Sequence, residues 1–297
     1  MAEHAVARPA APRPAASAVE RPGALATVGF AVVYVVLAFG ALLMILPLVW
    51  MISTASKPVE ETNLLGFYLL PSHFQMVENF QSAFARIPLA TFFRNSIFVS
   101  VSATLGEVVM ASLAGYSFAR YNYPGRDVLF LVVLSTLMIP FFVVVIPLYV
   151  VVHSFGWLNT YQALILPGMV SAFGIFLMRQ FILTIPNELI DAGRIDGASE
   201  LLIFIRIVMP LCMPAVATLT IFTFLSHWDA FLWPLLVVSK KDMFTVPLGL
   251  TFFQSEYIAY WNEQMAASLT ALAPTFALFL AFQRYFVRGV VMTGLKG

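Results

Sequence analysis

The length of its apolar runs is the feature that most constrains what this chain can fold into. The first run carries no charged residue from Pro22 to Ser56, and 61% of the whole chain is hydrophobic. Only 10% of the residues are charged, whereas a soluble domain carries roughly 25%. So few charges cannot cover a folded surface in water, and we therefore expect lipid to be the solvent. Lipid admits only helices or closed barrels, and continuous apolar runs indicate helices because barrel strands alternate.

Six runs are long enough to cross a bilayer core, which needs about 20 apolar residues per helix. They lie at about 26–52, 94–119, 128–152, 160–182, 207–233 and 265–287. The sequence therefore predicts an all-α integral membrane protein with six transmembrane helices in one domain over residues 25–297. Residues 1–24 are predicted to be a disordered tail. The apolar run after them is longer than the roughly 7–15 residues of a signal peptide's apolar region.

The Lys and Arg residues predict which way the chain faces, because they concentrate in cytoplasmic segments. If the N-terminus is placed inside, most of the 16 Lys and Arg residues fall on inner segments. Both termini and the charged stretch at 184–206 are then cytoplasmic. The two larger external segments lie at about 53–93 and 236–264.

Several classes of function are disfavoured by what the sequence lacks. The net charge of +1 gives no basic signature for nucleic acid. The single cysteine, Cys212, permits neither an intrachain disulfide nor a Cys-rich metal site. The sequence contains no P-loop, no zinc-protease motif and no nucleophile elbow, and its histidines do not pair at ligand spacing. We therefore expect no catalytic residue, no metal and no cofactor on this chain.

A charged, helix-prone stretch, ELIDAGRIDGASELLIFIRIVMP at 188–210, interrupts the apolar runs. Thr184 is predicted to cap its first helix, with Pro186 in the first turn. Glu188 and Asp191 then lie where the helix dipole favours anions. An apolar stripe follows at helical spacing and consists of Leu189, Ala192 and Ile195.

The same stretch is predicted to turn and continue into the membrane. Gly197 breaks the first helix, and Ser199 caps a second one that runs toward Pro210. Ala192 and Gly193 are small, so another surface could approach the backbone there. The residues alone fit a docking helix and an ordinary solvated loop equally well.

The spacing of this stretch resembles the EAA loop of ABC-importer permeases, in which E-A-A is followed by a glycine and then by I-x-L-P. The matching positions are Asp191, Ala192, Gly193, Gly197, Ile207, Met209 and Pro210. Asp replaces Glu, Gly replaces the second Ala and Met replaces Leu, so charge, small size and apolar character are kept. The surrounding RIDGAS resembles the carbohydrate branch, the maltose and glycerol-3-phosphate type.

Further segments resemble the same branch in the expected order over residues 30–297. They are AGYSFARYNYPGRD (114–127), LNTYQALILPG, FGIFLMRQF, HWDAFLWPL (227–235) and QRYFVRGVVMTGLKG (283–297). The resemblance implies a type I ABC-importer permease fold with a five-helix core. It also implies a permease subunit of an ATP-driven importer for a sugar, oligosaccharide or related polyol compound, in a bacterial or archaeal cytoplasmic (inner) membrane.

The resemblance also implies partners and a coupling site. A second homologous permease, two copies of a P-loop ATPase that binds ATP and Mg, and an extracytoplasmic solute-binding protein would complete the importer. The loop would be a coupling helix seated in the ATPase. The implied coupling residues are Pro186, Glu188, Asp191, Ala192, Gly193, Ile195, Asp196, Gly197, Ala198, Ser199, Ile207 and Pro210.

Four residues are candidates for a substrate pathway. Asp229 is predicted to lie at membrane depth in the fifth span, between Trp228 and Trp233. Ionisable residues there usually face a cavity or a partner, and carboxylates with aromatic rings suit sugars. The alternative is an aromatic belt at the membrane interface. Glu107, in the second span, is the other candidate, and a structural polar contact is favoured for it over substrate contact.

The external segment 236–264 is polar and aromatic, and in the family this loop reaches into the binding protein. Its predicted tip consists of Phe252, Phe253, Gln254, Ser255, Glu256 and Tyr257. A lipid-facing interfacial segment is the alternative. For the whole chain, the rival functions are a secondary transporter or channel that acts without an ATPase and an intramembrane enzyme.

Overall fold

A computed structural model describes residues 24–62, 68–254 and 259–294, with side chains at 29–62, 68–254 and 259–283. The chain divides into two compact units, Met1–Val49 and Trp50–Gly297. Apart from Ala24, the predicted tail lies outside the described residues. Within the described ranges the chain is helical, and its one β feature is an isolated bridge between Gln254 and Ala259.

The helices alternate between long, membrane-length elements and short connecting ones. They are α1 (Ala24–Ala55), α2 (Val59–Thr62), α3 (Met76–Arg86), α4 (Leu89–Arg120), α5 (Arg126–Ser135), α6 (Phe141–Ser154), α7 (Tyr161–Ile165), α8 (Ala172–Leu183), α9 (Asn187–Ile195), α10 (Glu200–Ile203), α11 (Met209–Leu211), α12 (Met213–Trp228), α13 (Leu232–Val237), α14 (Val246–Gly249) and α15 (Trp261–Gly294). A π-helical turn at Phe204–Val208 joins α10 to α11.

In the described chain, three helices are long and apolar enough to cross a membrane by themselves. They cover Gly29–Ala55, Leu89–Arg120 and Trp261–Gln283. Three bent pairs meet the same test, at Arg126–Ser154, Tyr161–Leu183 and Glu200–Trp228, so the chain has up to six spans if each pair is one span. Each of these pairs covers most of one predicted span, at 128–152, 160–182 and 207–233, and divides it into two helices that meet at a bend.

The breaks have identifiable causes in proline and in capping residues. The first pair bends by 103° where Pro140 follows an extended Ile139, because proline forces the residue before it out of the helical region. The pair at Glu200–Trp228 bends by 79° at Cys212, just before Pro214. Ser171, in extended conformation, caps the second half of the remaining pair, which bends by 41°.

Within the first unit, the described part of α1 is apolar and its side chains at 29–49 are nearly all exposed. A helix that is hydrophobic on every side and lacks protein neighbours is typical of a membrane span. This surface therefore agrees with lipid as the solvent.

In the second unit, α4 is the central helix and packs along α8 and α12. Gly115 permits the contact with α8, since a Cβ there would lie 2.8 Å from Met178 Cβ and 2.9 Å from the Arg179 backbone nitrogen. At one end α4 reaches the charged stretch around α9, and at the other it packs against α14. A single helix, α4, thus positions both the charged stretch around α9 and the region around α14.

Candidate functional site

The charged stretch forms a short helix, α9, after a proline. Pro186 is its N-cap residue, with φ −57° and ψ 137°, and Glu188 lies in its first turn. Thr184 does not cap this helix as predicted, because it terminates α8 and its hydroxyl donates to the Phe181 carbonyl. The start of α9 is therefore set by the fixed φ of proline, which is pre-organised for a helix.

The two faces of α9 differ sharply in exposure. Ile190 and Gly193 are buried against the protein. The predicted apolar stripe points the other way, since Leu189 and Ala192 are exposed and Ile195 is 85% exposed. The acidic residues Glu188, Asp191 and Asp196 are exposed as well. The outward surface of α9 is therefore an apolar stripe bordered by carboxylates.

Gly193 packs closely against a later part of the same chain. A Cβ at this position would lie 2.8 Å from Ile207 Cδ1 and 3.2 Å from Ile203 Cγ1. The close approach predicted at Gly193 is thus used by the following helical turns of the same chain. Only Ala192 leaves small, open surface for a different molecule.

The turn after α9 has the hydrogen bonds of a Schellman motif, which terminates a helix on a left-handed residue. Gly197 has φ +78° and its N–H donates to the Arg194 carbonyl at 3.0 Å. The Ala198 N–H donates to the Gly193 carbonyl at 3.0 Å. Ser199 then caps α10, its Oγ accepting from Leu202 N at 3.3 Å. The predicted glycine turn and serine cap are both confirmed.

Arg194 and Glu200 join the two helices across this turn. Arg194 Nε lies 2.7 Å from Glu200, and its Nη1 lies 3.0 Å from Asp191. Glu200 also accepts hydrogen bonds from Tyr116 at 3.1 Å and Tyr121 at 3.2 Å. The hydrogen bond to Glu200 raises the pKa of Arg194, so the guanidinium stays charged. The sequence analysis assigned this pair no role. The signal was that Arg194 and Glu200 carry opposite charges six residues apart, on either side of the predicted glycine turn.

Arg120, at the end of α4, fixes the entry to α9. Its guanidinium donates to the Asn187 side chain and to the backbone carbonyls of Ile182 and Ile185. Carbonyls at a helix C-terminus lack partners within the helix, and a cation there satisfies them. The segment is therefore attached to the central helix by directed hydrogen bonds as well as by apolar packing.

Of the remaining predicted coupling residues, two pack beneath the stretch and Pro210 is exposed. Ile207, in the π-helical turn, and Ala198 pack against a buried cluster that includes Ile190, Ile203 and Val208. Pro210 lies in α11, two residues before the bend at Cys212. These residues connect α9 to the bent helix rather than present themselves to a partner.

The substrate-pathway candidates are separated by the end of α12. The helix ends at Trp228, and Asp229 is its exposed C-cap residue. Leu232 starts the next helix, α13. Asp229, predicted in the outer part of the fifth span, therefore lies in the turn between α12 and α13, directly after α12 ends.

Trp228 is buried, and its indole N–H donates to the Ala271 carbonyl at 3.1 Å. Its ring stacks on Phe224 with centroids 5.7 Å apart. The side chain thus attaches α12 to α15. Its polar group is already paired, and it is poorly placed to contact a substrate.

Trp233 lines a cavity of about 300 Å³ between α4, α6, α7 and α13. Its indole N–H donates to the Ala163 carbonyl at 2.8 Å. The polar groups in the lining are Ser226, His227 and Thr245, and the buried Thr245 hydroxyl has no partner among the described residues. The sequence analysis did not single out these three residues. It considered His227 only for its spacing as a metal ligand.

Comparison with known proteins identifies the fold and the family. The family model for the binding-protein-dependent transport system inner membrane component matches residues 107–292. The chain belongs to this family. The resemblance drawn from the sequence motifs is confirmed, and the chain is a multi-pass membrane transport component rather than an enzyme.

Individual relatives of this inner membrane component are transport permeases. The arabinooligosaccharides transport system permease protein AraQ of Halalkalibacterium halodurans is 37% identical over 92% of this chain and 96% of its own. The sn-glycerol-3-phosphate transport system permease protein UgpE of Salmonella typhi is 36% identical over 75% and 82%. A bacterial ABC transporter involved in alginate import matches in fold, with a TM-score of 0.79, 19% identity and coverage of 90% and 100%.

Glu107 of this inner membrane component is 6% exposed, and its carboxylate accepts a hydrogen bond from a hydroxyl. Its Oε1 accepts from Ser171 Oγ at 2.5 Å, and the same Ser171 oxygen accepts from Gly174 N at 2.9 Å. The partner is the residue that starts α8 at the break of the bent pair. This geometry favours the structural polar contact between spans that the sequence suggested.

Part of the segment predicted to reach the binding protein is buried in the core of the chain. Phe253 is fully buried, so the prediction that it contacts a partner is wrong for this residue. Phe252 is half exposed and stacks on Phe244 at 5.5 Å, with Lys241 over its ring. Gln254 is exposed and bonds Gln264 at 3.3 Å. The other three predicted tip residues, Ser255, Glu256 and Tyr257, lie outside the described residues.

Proposed function

We propose that this chain is the permease subunit of an ATP-driven importer for a sugar, oligosaccharide or related polyol compound. It would form half of the translocation pathway by alternating access, beside a second homologous permease. Two copies of a P-loop ATPase would bind ATP and Mg, and an extracytoplasmic solute-binding protein would deliver the substrate. The relatives belong to transport systems for arabinooligosaccharides and sn-glycerol 3-phosphate, which supports this chemical class.

The observation that carries the proposal is the two-faced construction of α9. Its inner face is fixed by Ile190, Gly193 and the Arg194–Glu200 pair, whereas its outer face exposes Leu189, Ala192 and Ile195. Singly exposed apolar residues are ordinary, but an apolar stripe on a helix that is otherwise rigidly held suits a partner surface. Movement of that partner would be transmitted to α10 and the bent span rather than absorbed by a loose loop.

The same proposal places both termini in the cytoplasm and α9 on the cytoplasmic side. The coupling surface consists of Glu188, Leu189, Asp191, Ala192 and Ile195. The remaining coupling residues position this surface from below. For the substrate pathway, the cavity at Trp233 is the better candidate on this chain, because Trp228 is buried with its N–H paired.

The proposal is tested by purifying the chain from native membranes in mild detergent, as wild type and as Gly197→Arg. Gly156→Arg is the matched control. Both glycines have positive φ, +78° and +70°, and a Cβ at either one would meet no atom within 4 Å. Residue 156 lies in the loop that the proposed orientation places on the opposite side of the membrane. The two variants therefore carry the same backbone strain and differ in which side they alter.

We expect a P-loop ATPase and a second permease to co-purify with wild type and with Gly156→Arg. The ATPase should be lost from Gly197→Arg, while the second permease remains. If the chain purifies alone in all three cases, the importer proposal fails. A secondary transporter or channel acting without an ATPase would then be the better account.

A further inference from the structure

A second cavity of about 300 Å³ lies where the end of α1, α2 and the start of α15 meet. Its lining includes Trp50, Thr54, Lys57, Glu61 and Trp261. We infer that this cavity binds one ring of an uncharged saccharide at the outer mouth of the chain. The inference rests on the proposed function for the side of the membrane and for the class of substrate.

Thr54 gives the first sign that the cavity is built for a polar ligand. The side chain is 6% exposed, and its hydroxyl is buried without a hydrogen-bond partner among the described residues. An unpaired buried hydroxyl is unfavourable because it has lost its hydrogen bonds to water. Because Thr54 lines the cavity, a ligand hydroxyl can supply the missing hydrogen bond.

Lys57 gives the second, independent sign. It is 4% exposed, and its ammonium donates to the Tyr68 carbonyl and lies 4.6 Å from the centre of the Trp50 ring. No carboxylate lies within ion-pair distance of it in the part of the chain that the structure describes. An ammonium has three donors, so donors remain for oxygen atoms of a ligand in the cavity.

Glu61 makes an uncharged ligand the better fit. Its carboxylate accepts hydrogen bonds from Ser72 N at 3.1 Å and from the Ser72 hydroxyl, which hold it at the cavity wall. The lining therefore carries one cation and one anion, and a phosphate or carboxylate that approached Lys57 would also face Glu61. Sugar hydroxyls both donate and accept, so they can satisfy both groups.

Trp261 supplies the apolar surface that a sugar ring needs. The residue is 36% exposed, and among the described residues its ring contacts neither another aromatic ring nor a cation. A flat indole buries the C–H face of a sugar ring while the rim hydroxyls reach polar groups. Pockets that combine aromatic walls with a few placed polar groups are typical small-molecule sites, and 300 Å³ is at their lower size limit.

The experiment uses the complete transporter purified with its partner subunits in nanodiscs, with the binding protein left out. Saturation-transfer NMR measures contact with arabinotriose, and glycerol 3-phosphate serves as the anionic comparison. The variants are Trp261→Ala and Thr54→Val, which removes the hydroxyl and keeps the shape. Phe74→Ala is the matched control, because Phe74 is an exposed aromatic residue of the same outer segment and does not line the cavity. Basal ATPase activity verifies that each complex is assembled.

We expect saturation transfer to arabinotriose in wild type and Phe74→Ala, at least a fivefold loss in Trp261→Ala and at least a twofold loss in Thr54→Val. Equal signals in all four proteins, or no signal in wild type, overturn the inference. A glycerol 3-phosphate signal that disappears in Lys57→Met also overturns it, because the cavity would then be an anion site. ATP-dependent uptake of arabinotriose in proteoliposomes with the binding protein distinguishes failure of this cavity inference from failure of the proposed function. Uptake without a cavity-dependent signal removes this site alone, whereas loss of both uptake and ATPase co-purification removes the proposed function.

Discussion

The two ends of the second unit are built differently. At the α9 end, an apolar cluster around Ile190 and Ile203 carries the packing, and the ion pair of Arg194 with Glu200 is exposed. At the other end, α3 is joined to α15 by polar groups that are largely buried. Asn79 donates to the carbonyls of Ala55 and Lys57 and accepts from Asn262.

An ion pair also joins α3 to α15 at that second end. Arg86 Nη2 lies 2.9 Å from Glu263 Oε1, and its guanidinium carbon lies 3.7 Å from the centre of the Tyr260 ring. The hydrogen bond to Glu263 raises the pKa of Arg86.

The two ends therefore suit different kinds of ligand. The α9 end pairs Arg194 with Glu200 and exposes an apolar stripe, which suits a protein. The α3 end leaves the buried Thr54 hydroxyl unpaired beside a cavity, which suits a small polar ligand.

The largest expected effect comes from Arg86→Leu. Glu263 is 7% exposed and would be left unpaired, whereas Arg86 itself is 38% exposed. We therefore expect a loss of about 3 kcal/mol in the free energy of unfolding, at the low end for a broken buried pair. Thermal unfolding in detergent measures it. Arg126→Leu is the control, since its Asp127 partner is 71% exposed and an exposed pair contributes little to stability. Equal losses would mean that the α3 end is not held by its buried charges.

The next effect is steric and occurs at Gly193. Leucine there would overlap Ile203 and Ile207, and we expect a loss of about 2 kcal/mol from overpacking. Alanine meets side-chain atoms of Ile207 and Ile203 that can shift, and its better helix propensity offsets those contacts by roughly 1 kcal/mol. Gly193→Ala should therefore unfold within a few degrees of wild type. If both variants behave alike, the close packing beneath α9 is not what holds it.

A smaller effect distinguishes strain from docking. Gly197→Ala and Gly156→Ala each force a left-handed residue to carry a Cβ, and each should lose about 1–2 kcal/mol. Only Gly197→Ala should also weaken sugar-stimulated ATPase activity of the assembled transporter, because it repositions α9. Matching ATPase losses in the two variants would contradict the assignment of this turn to coupling.

The smallest effect is expected for Glu200→Gln. The amide still accepts from Tyr116 and Tyr121 but loses the charge that pairs with Arg194. Since the pair is exposed, the free energy of unfolding should change less than in the three preceding variants. ATPase stimulation should fall modestly at low salt, and that difference should shrink at high salt because ions screen exposed charges. A difference that is independent of salt would point to a structural role of the carboxylate.

Much of the candidate site could be predicted from local sequence patterns. The Gly197 turn and the Ser199 cap follow from backbone preferences of neighbouring residues, and the structure has both. The missed features join distant residues. Glu200 meets Tyr116, and Arg86 meets Glu263 across a long stretch of chain. Which polar groups meet at such separations depends on how the helices pack, and no local sequence pattern shows it.

The sequence by itself determined that this chain is a membrane-embedded helical protein with an exposed charged helix after Pro186, because hydrophobicity and cap preferences act over a few residues. Only the tertiary structure decided which side of each helix is used. It placed Trp228 in the interior and the Leu189–Ile195 stripe outside. It also broke three spans and brought Thr54, Lys57 and Trp261 around one cavity. Those outcomes depend on which helices pack together, and packing is a property of the whole fold rather than of any local pattern.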